Sequence, residues 1–165
     1  MPKTISIIVA VAEKNAIGNN NKLLTHISDD LKRFKQITKG HTVVMGRNTW
    51  FSLPNRPLPN RTNIVITNNP DETFDGAVTV YSIDEAIEKC PDNHESFVMG
   101  GAMVYKQFFS IAHKLYLTKI HKAFDADTFF PEVSETEWEV VKQVDITDDK
   151  QAGLNYSFID LKRKI

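Results

Sequence analysis

The chain has 165 residues, 41% of them hydrophobic and 25% charged, an ordinary composition for one globular domain spanning 1–165. At this length folding buries roughly 68–70% of the surface the unfolded chain exposes, so neither metal nor disulfide is needed for stability. With 20 Lys and Arg against 21 Asp and Glu, the net charge of −1 argues against a nucleic acid or an anionic membrane as partner, while a few placed cations could still hold a small anion.

Met1-Pro2-Lys3-Thr4 runs straight into strand-like sequence without the order of a secretory leader. Ile5 to Ala12 is short, continuous and β-branched, as a strand buried on both faces should be, and it is too short to span a bilayer. A cytoplasmic, monomeric protein is expected. Glu13 to Ile27 is polar and Asn-rich, a long connection of the kind that more often serves function than accident. Ser28 to Lys39 reads as a helix with Ser28 as N-cap, Asp29 and Asp30 in its first turn and Gly40 beyond its end.

A second buried strand over Thr42 to Met45 runs through Gly46 into a short helix ending near Leu53. Strands follow at Asn63 to Thr67 and Val78 to Tyr81, and Ser82 caps a helix over Asp84 to Lys89. Ser96 to Met99 is a strand that enters Gly100-Gly101 and then a helix over Met103 to Ile111. Lys114 to Ile120 is a strand, and Trp138 to Ile146 with Asn155 to Lys162 form a closing antiparallel pair. Strands alternating with helices predict an α/β fold: a mostly parallel central sheet of about eight strands, helices on both faces, and the antiparallel pair at its C-terminal side.

Three places carry candidate chemistry. Gly100-Gly101 lies between a strand and a helix, where missing Cβ atoms let a backbone approach a pyrophosphate; alone it reads more readily as a tight turn. Arg47 and Thr49 follow Gly46 in the same strand-to-helix geometry and suit a phosphate, although an isolated Arg there is more simply a solvated surface cation. Two such turns at the carboxyl ends of parallel strands favour a dinucleotide. Asp30 shares a helix face with Phe34 and Ile37, so its carboxylate meets apolar walls, yet an Asp in a first helical turn needs no more than the helix dipole to explain it. The five histidines and one cysteine show no metal-ligand spacing, and no nucleophile elbow is present.

The strings ISIIVAVAEKNAIG, DDLKRFK, VVMGRNTWFSLPNRPLPNR, NIVIT, FVMGGAMVYKQF, KLYLTKI and ADTFFP, in this order and spacing, resemble dihydrofolate reductase from about Thr4 to Lys162. The resemblance implies reduction of 7,8-dihydrofolate to tetrahydrofolate with NADPH, and susceptibility to antifolates. It implies that Asp30 is the one ionisable group at the pterin and that the Thr118 hydroxyl bridges to it. Ile8, Leu31, Phe34, Met99 and Tyr105 would wall the pterin and nicotinamide, and Leu53 and Leu58 would line the aminobenzoyl groove. Arg61 would pair with the α-carboxylate of the glutamate tail. Gly46, Arg47, Thr49, Thr67, Gly100, Gly101 and the turn residues Ala10, Ile17 and Gly18 would hold NADPH, with a cis peptide between the two adjacent glycines and the Glu13–Ile27 loop as a lid.

There are three departures from the family pattern: Leu24-Thr25 replaces Pro-Trp in the lid, Tyr81 and Met103 stand where some members place cations near the 2′-phosphate, and Ala102 replaces a third glycine. Two rivals share the general reading, a pyrimidine reductase of similar architecture and a non-catalytic pterin- or nucleotide-binding module. Asp30 with Thr118 and the Arg61 clamp speak against the first; the second is suggested by the missing lid tryptophan, and the presence of the Asp30 carboxylate weighs against it.

Overall fold

The computed structural model describes residues 2–19, 22–23, 27–149 and 153–164. In chain order the elements are β1 (Thr4–Val11), a 3₁₀ turn (Glu13–Asn15), β2 (Ala16–Asn19), β3 (Lys22–Leu23), α1 (Ser28–Thr38), β4 (Thr42–Gly46), α2 (Arg47–Ser52), β5 (Thr62–Ile66), β6 (Val78–Val80), α3 (Ile83–Lys89), β7 (Glu95–Val98), α4 (Ala102–Phe109), β8 (Lys114–Ile120), β9 (Thr128–Phe129), β10 (Trp138–Asp149) and β11 (Leu154–Arg163). Eight strands form one sheet in the order β10-β11-β8-β1-β7-β4-β5-β6. The six from β8 to β6 are parallel, and β11 joins β8 and β10 by antiparallel ladders, as expected.

Alternation along the strands sorts side chains onto two helical layers. Ile5, Ile7, Val9 and Val44 face one way and pack with Ala86 of α3 and with Val104, Tyr105 and Phe108 of α4. Ile8, Val43, Met45 and Phe97 face the other way and pack with Phe34 and Ile37 of α1 and Trp50 of α2. Both faces of β1 are therefore covered, which explains its largely apolar sequence; the one polar residue inside it, Ser6, is buried and donates its hydroxyl to Glu95 at 2.5 Å.

Two local expectations need correction. Helix α1 is preceded by Ile27 as N-cap, and Ser28 is its first residue rather than its cap. Ile27 is extended (φ −123°, ψ 116°) and 4% exposed, so burial of an apolar side chain sets the start of the helix without any side-chain cap. Nor is the segment after β1 a structureless loop. Its described residues form the 3₁₀ turn, with Lys14 and Asn15 both at φ 61°, and then β2, the centre of a small β3-β2-β9 sheet. Phe130 donates its N–H to the Asn15 carbonyl at 2.8 Å and Asp127 donates to Gly18 at 3.1 Å, so this segment is moored to residues more than 100 positions away. Leu24 and Thr25 lie outside the described residues. By contrast Ser82 caps α3 as expected, its Oγ accepting the Glu85 N–H at 3.0 Å.

Candidate active site

Parallel register gathers the candidate residues at one edge of the sheet. Ile7 lies level with Val98, and Val98 with Val44, so Ile8 to Ala10, Met99 to Gly101 and Gly46 lie side by side toward the carboxyl ends of β1, β7 and β4. Gly46 lies level with Ile66, which brings Thr67 to the same edge, and Ala10 lies level with Thr118. This is where α/β sheets hold ligands.

Asp30 reaches this edge from the first turn of α1. The Thr118 hydroxyl, 1% exposed in the middle of β8, donates a short hydrogen bond to Asp30 Oδ1, and the second carboxylate oxygen is the one a ligand N–H would meet. Burial pushes the Asp30 carboxyl above its ordinary value; the Thr118 bond and the nearby Arg33 guanidinium act against that rise. Arg33 is itself anchored, its Nη2 donating to Asp160 at 2.5 Å and its guanidinium lying 4.6 Å from the Phe158 ring centre. Tyr105 is buried and donates its hydroxyl to the Ile8 carbonyl at 2.9 Å. Its own acidity is suppressed by burial first and by Asp30 second, so it stays a neutral donor.

Ile8, Phe34, Leu53, Leu58 and Met99 belong to one apolar cluster, which unites most of the predicted wall. Leu31 is 52% exposed, a half-open position on α1. Arg61 is strapped beside this cluster. Its Nε donates to the Pro59 carbonyl at 2.9 Å, its Nη1 to Thr38 Oγ1 at 3.1 Å, and its guanidinium sits 5.8 Å from the Phe34 ring centre. Partial burial lowers its pKa from a very high ordinary value, leaving a cation.

Gly46, Gly100 and Gly101 form a cradle without side chains. The Gly46 N–H donates to the Gly100 carbonyl at 2.9 Å, and the Gly100–Gly101 peptide is cis, as the resemblance implies. Gly100 has φ +132°, and a Cβ there would lie 3.1 Å from Thr49 Oγ1; one on Gly46 would lie 3.0 Å from Val104 Cγ2. A side chain at either point would press on Val104 or Thr49, so the two strand ends meet as bare backbone beside the Thr49 hydroxyl. Ala102 begins α4 directly behind it. Ile17 belongs to the α4-side core, Ala10 packs on a third small cluster, and Gly18 pairs with both Leu23 and Thr128. No described contact joins these three to the cradle residues directly.

Arg47 and Thr67 do meet, through a residue that motif reasoning missed. Both carboxylate oxygens of Glu72 accept from Arg47 Nε, at 3.0 and 2.7 Å, and Glu72 Oε1 also accepts the Thr67 hydroxyl at 2.5 Å. The available signal was the turn chemistry of Asn69-Pro70-Asp71, which folds the chain back after β5.

A family model described as dihydrofolate reductase matches residues 4–163. The chain belongs to the dihydrofolate reductase family. It is 42% identical to a dihydrofolate reductase of Bacillus subtilis (strain 168) over 160 residues, 97% of this chain and 95% of the relative. It is 39% identical over 155 residues to that of Neisseria gonorrhoeae, covering 94% of this chain and 95% of the relative. It also resembles a solved dihydrofolate reductase from Enterococcus faecalis complexed with NADP(H) and RAB-propyl, with TM-score 0.88 and 35% identity, covering 98% of this chain and 97% of that one. Near-complete coverage in each case means that the dihydrofolate reductase core is present from β1 to β11.

Proposed function

We propose that Asp30 and Thr118 hold the pterin of 7,8-dihydrofolate while this chain reduces it to tetrahydrofolate with NADPH. The observation that carries this assignment is the bond from the buried Thr118 hydroxyl to the half-buried Asp30 carboxylate. Such an anion favours a ligand that brings N–H donors and can accept a proton. Thr118 fixes one carboxylate oxygen and so points the other at the pterin's N3 and 2-amino group. Ile8, Phe34, Met99 and Tyr105, with Leu31 at the margin, exclude water and keep two flat rings in register. Leu53 and Leu58 cover the aminobenzoyl group, and Arg61 pairs with the α-carboxylate of the glutamate tail.

When bound, NADPH supplies the hydride that reaches C6 of the pterin as N5 gains a proton. The chain's part is to seat it. Gly46, Gly100 and Gly101 would let it approach the main chain closely, Thr49 would offer a hydroxyl, Arg47 and Thr67 would bind the 2′-phosphate, and Ala10, Ile17 and Gly18 would also hold it. The 13–27 segment closes over the cofactor as a lid. Among the described residues no helix is long and apolar enough to cross a membrane. We read the protein as a cytoplasmic monomer, with residues 1–165 as one domain, small-molecule substrate and antifolates as its ligands, and neither nucleic acid nor membrane as partner.

The test mixes protein, NADPH and 7,8-dihydrofolate and follows absorbance in the NADPH band. A fall that requires both compounds, and is lost in Asp30→Asn, supports the assignment. A flat trace with tight pterin binding would favour the non-catalytic module. Turnover of an aminopyrimidine ribitol phosphate in place of dihydrofolate would favour the pyrimidine reductase.

A further inference from the structure

We propose that Glu72 is a specificity-determining residue that occupies the cofactor's 2′-phosphate seat with its own carboxylate and narrows the preference for NADPH over NADH. The inference rests on the reading of Arg47 and Thr67 as the 2′-phosphate ligands. Both are satisfied by Glu72 in this structure: Arg47 Nε by the two carboxylate oxygens, and the Thr67 hydroxyl by Oε1. A carboxylate held by a guanidinium and a hydroxyl makes the same kinds of contact that two phosphate oxygens would make there.

Glu72 is placed by a built turn. The Glu72 N–H donates to the Asn69 carbonyl at 3.1 Å, the Asn69 N–H donates to Thr67 Oγ1 at 3.2 Å, and Asn69 Oδ1 accepts the Asp71 N–H at 3.0 Å. The Tyr81 hydroxyl closes the other side by donating to the Glu72 carbonyl at 3.2 Å. The turn therefore returns Glu72 to the hydroxyl of the residue five positions before it. The bonds from Thr67 and Arg47 hold the Glu72 carboxyl below its ordinary value, so it is an anion at neutral pH.

Two consequences follow for the adenosine end of the cofactor. A 2′-phosphate carries about −1.5 to −2 charge at pH 7 and must displace the carboxylate or suffer its repulsion, whereas the cation it meets is already neutralised. A ribose 2′-hydroxyl can instead donate to the same carboxylate, the role acidic residues play in sites selective for NADH. Tyr81, where some family members place a cation, here supports the turn that carries the anion.

The experiment titrates calorimetrically the native protein, Glu72→Gln, Glu72→Ala and Arg47→Ala with NADPH, NADH, adenosine 2′,5′-bisphosphate and adenosine 5′-monophosphate, with thermal unfolding to check that each variant is folded. Both Glu72 variants should bind NADPH and the bisphosphate about tenfold more tightly, while NADH and the monophosphate stay level or weaken. If neither Glu72 variant changes the ratio of NADPH to NADH affinity, while Arg47→Ala lowers it, the Glu72 proposal is overturned and the 2′-phosphate assignment stands. If Arg47→Ala leaves that ratio untouched, the assignment of the seat is wrong and the proposal falls with it.

Discussion

Asp30→Asn should separate activity from stability in opposite directions. The amide is nearly isosteric, and its Oδ1 can still accept the Thr118 hydroxyl, so the local scaffold survives. The second position changes from an acceptor to an NH₂ donor facing the N–H groups of the pterin. One hydrogen bond to a charged group, worth about 1.5–3 kcal/mol, is lost, and so is the anion that favours a protonated ring. Removing such an electrostatic partner from a water-poor site costs about 2.7–4 kcal/mol, or 10²–10³ in kcat/KM at pH 7. Stability runs the other way. The folded carboxyl holds its proton more tightly than the unfolded one, so ionisation weakens the folded state as pH rises from the ordinary carboxylate value through the raised folded value. Asn carries no such penalty. The assay is a pair of pH series, steady-state kcat/KM for dihydrofolate and the midpoint of thermal unfolding. The variant should be slow yet at least as stable as the native chain at pH 7, with the stability difference shrinking in acid. Near-native turnover at pH 7, or a variant that loses stability relative to the native chain as pH rises, would refute the reasoning.

Three further outcomes are expected. Thr118→Val keeps the volume of a residue 1% exposed but removes the donor to Asp30, so the carboxyl should rise further and the pH profile of hydride transfer should move to higher pH; an unmoved profile would separate Thr118 from Asp30. Arg61→Ala should weaken dihydrofolate at least tenfold, as expected for one lost charged pair of about 1.5–3 kcal/mol, and spare both NADPH and a pterin lacking the glutamate tail; equal losses for both substrates in binding titrations would make Arg61 a support of α1. Gly100→Ala must hold an L side chain at φ +132° with its Cβ 3.1 Å from Thr49 Oγ1, a strain on the order of 1–3 kcal/mol, readable as a lower urea midpoint and weaker NADPH binding; an unchanged midpoint would contradict it.

The parts of this fold that could be read from sequence are those decided by local pattern. The β-branched run of β1, the Ser82 cap of α3 and the alternating β8 each carry their own signal, and the structure agrees. What escaped depends on distance along the chain. Ser28 has the chemistry of an N-cap, but Ile27 is drawn into the core and the helix starts from there. The two-residue strand β9 has no periodicity of its own and exists because Gly18 and Ala16 pair with it. Asp30 and Thr118 lie 88 positions apart, so only the family resemblance linked them before the fold did. Glu72 was invisible because a glutamate after a turn reads as solvated surface until Arg47, 25 positions earlier, is seen against it.

The position of β1 at the heart of the sheet has a consequence for the nascent chain. Its neighbours are β7 and β8: Thr4 is level with Glu95, and Ser6 with Lys114. At synthesis rates of about 5–20 residues per second, the ribosome needs roughly 5–20 s after making β1 to make the first of these partners. For that interval Ile5, Ile7, Ile8, Val9 and Val11 have neither of the strands that flank them in the finished sheet. The strand at the centre of the finished sheet is therefore made well before both of its partners, and until they arrive it is a segment through which crowded, half-made chains would associate.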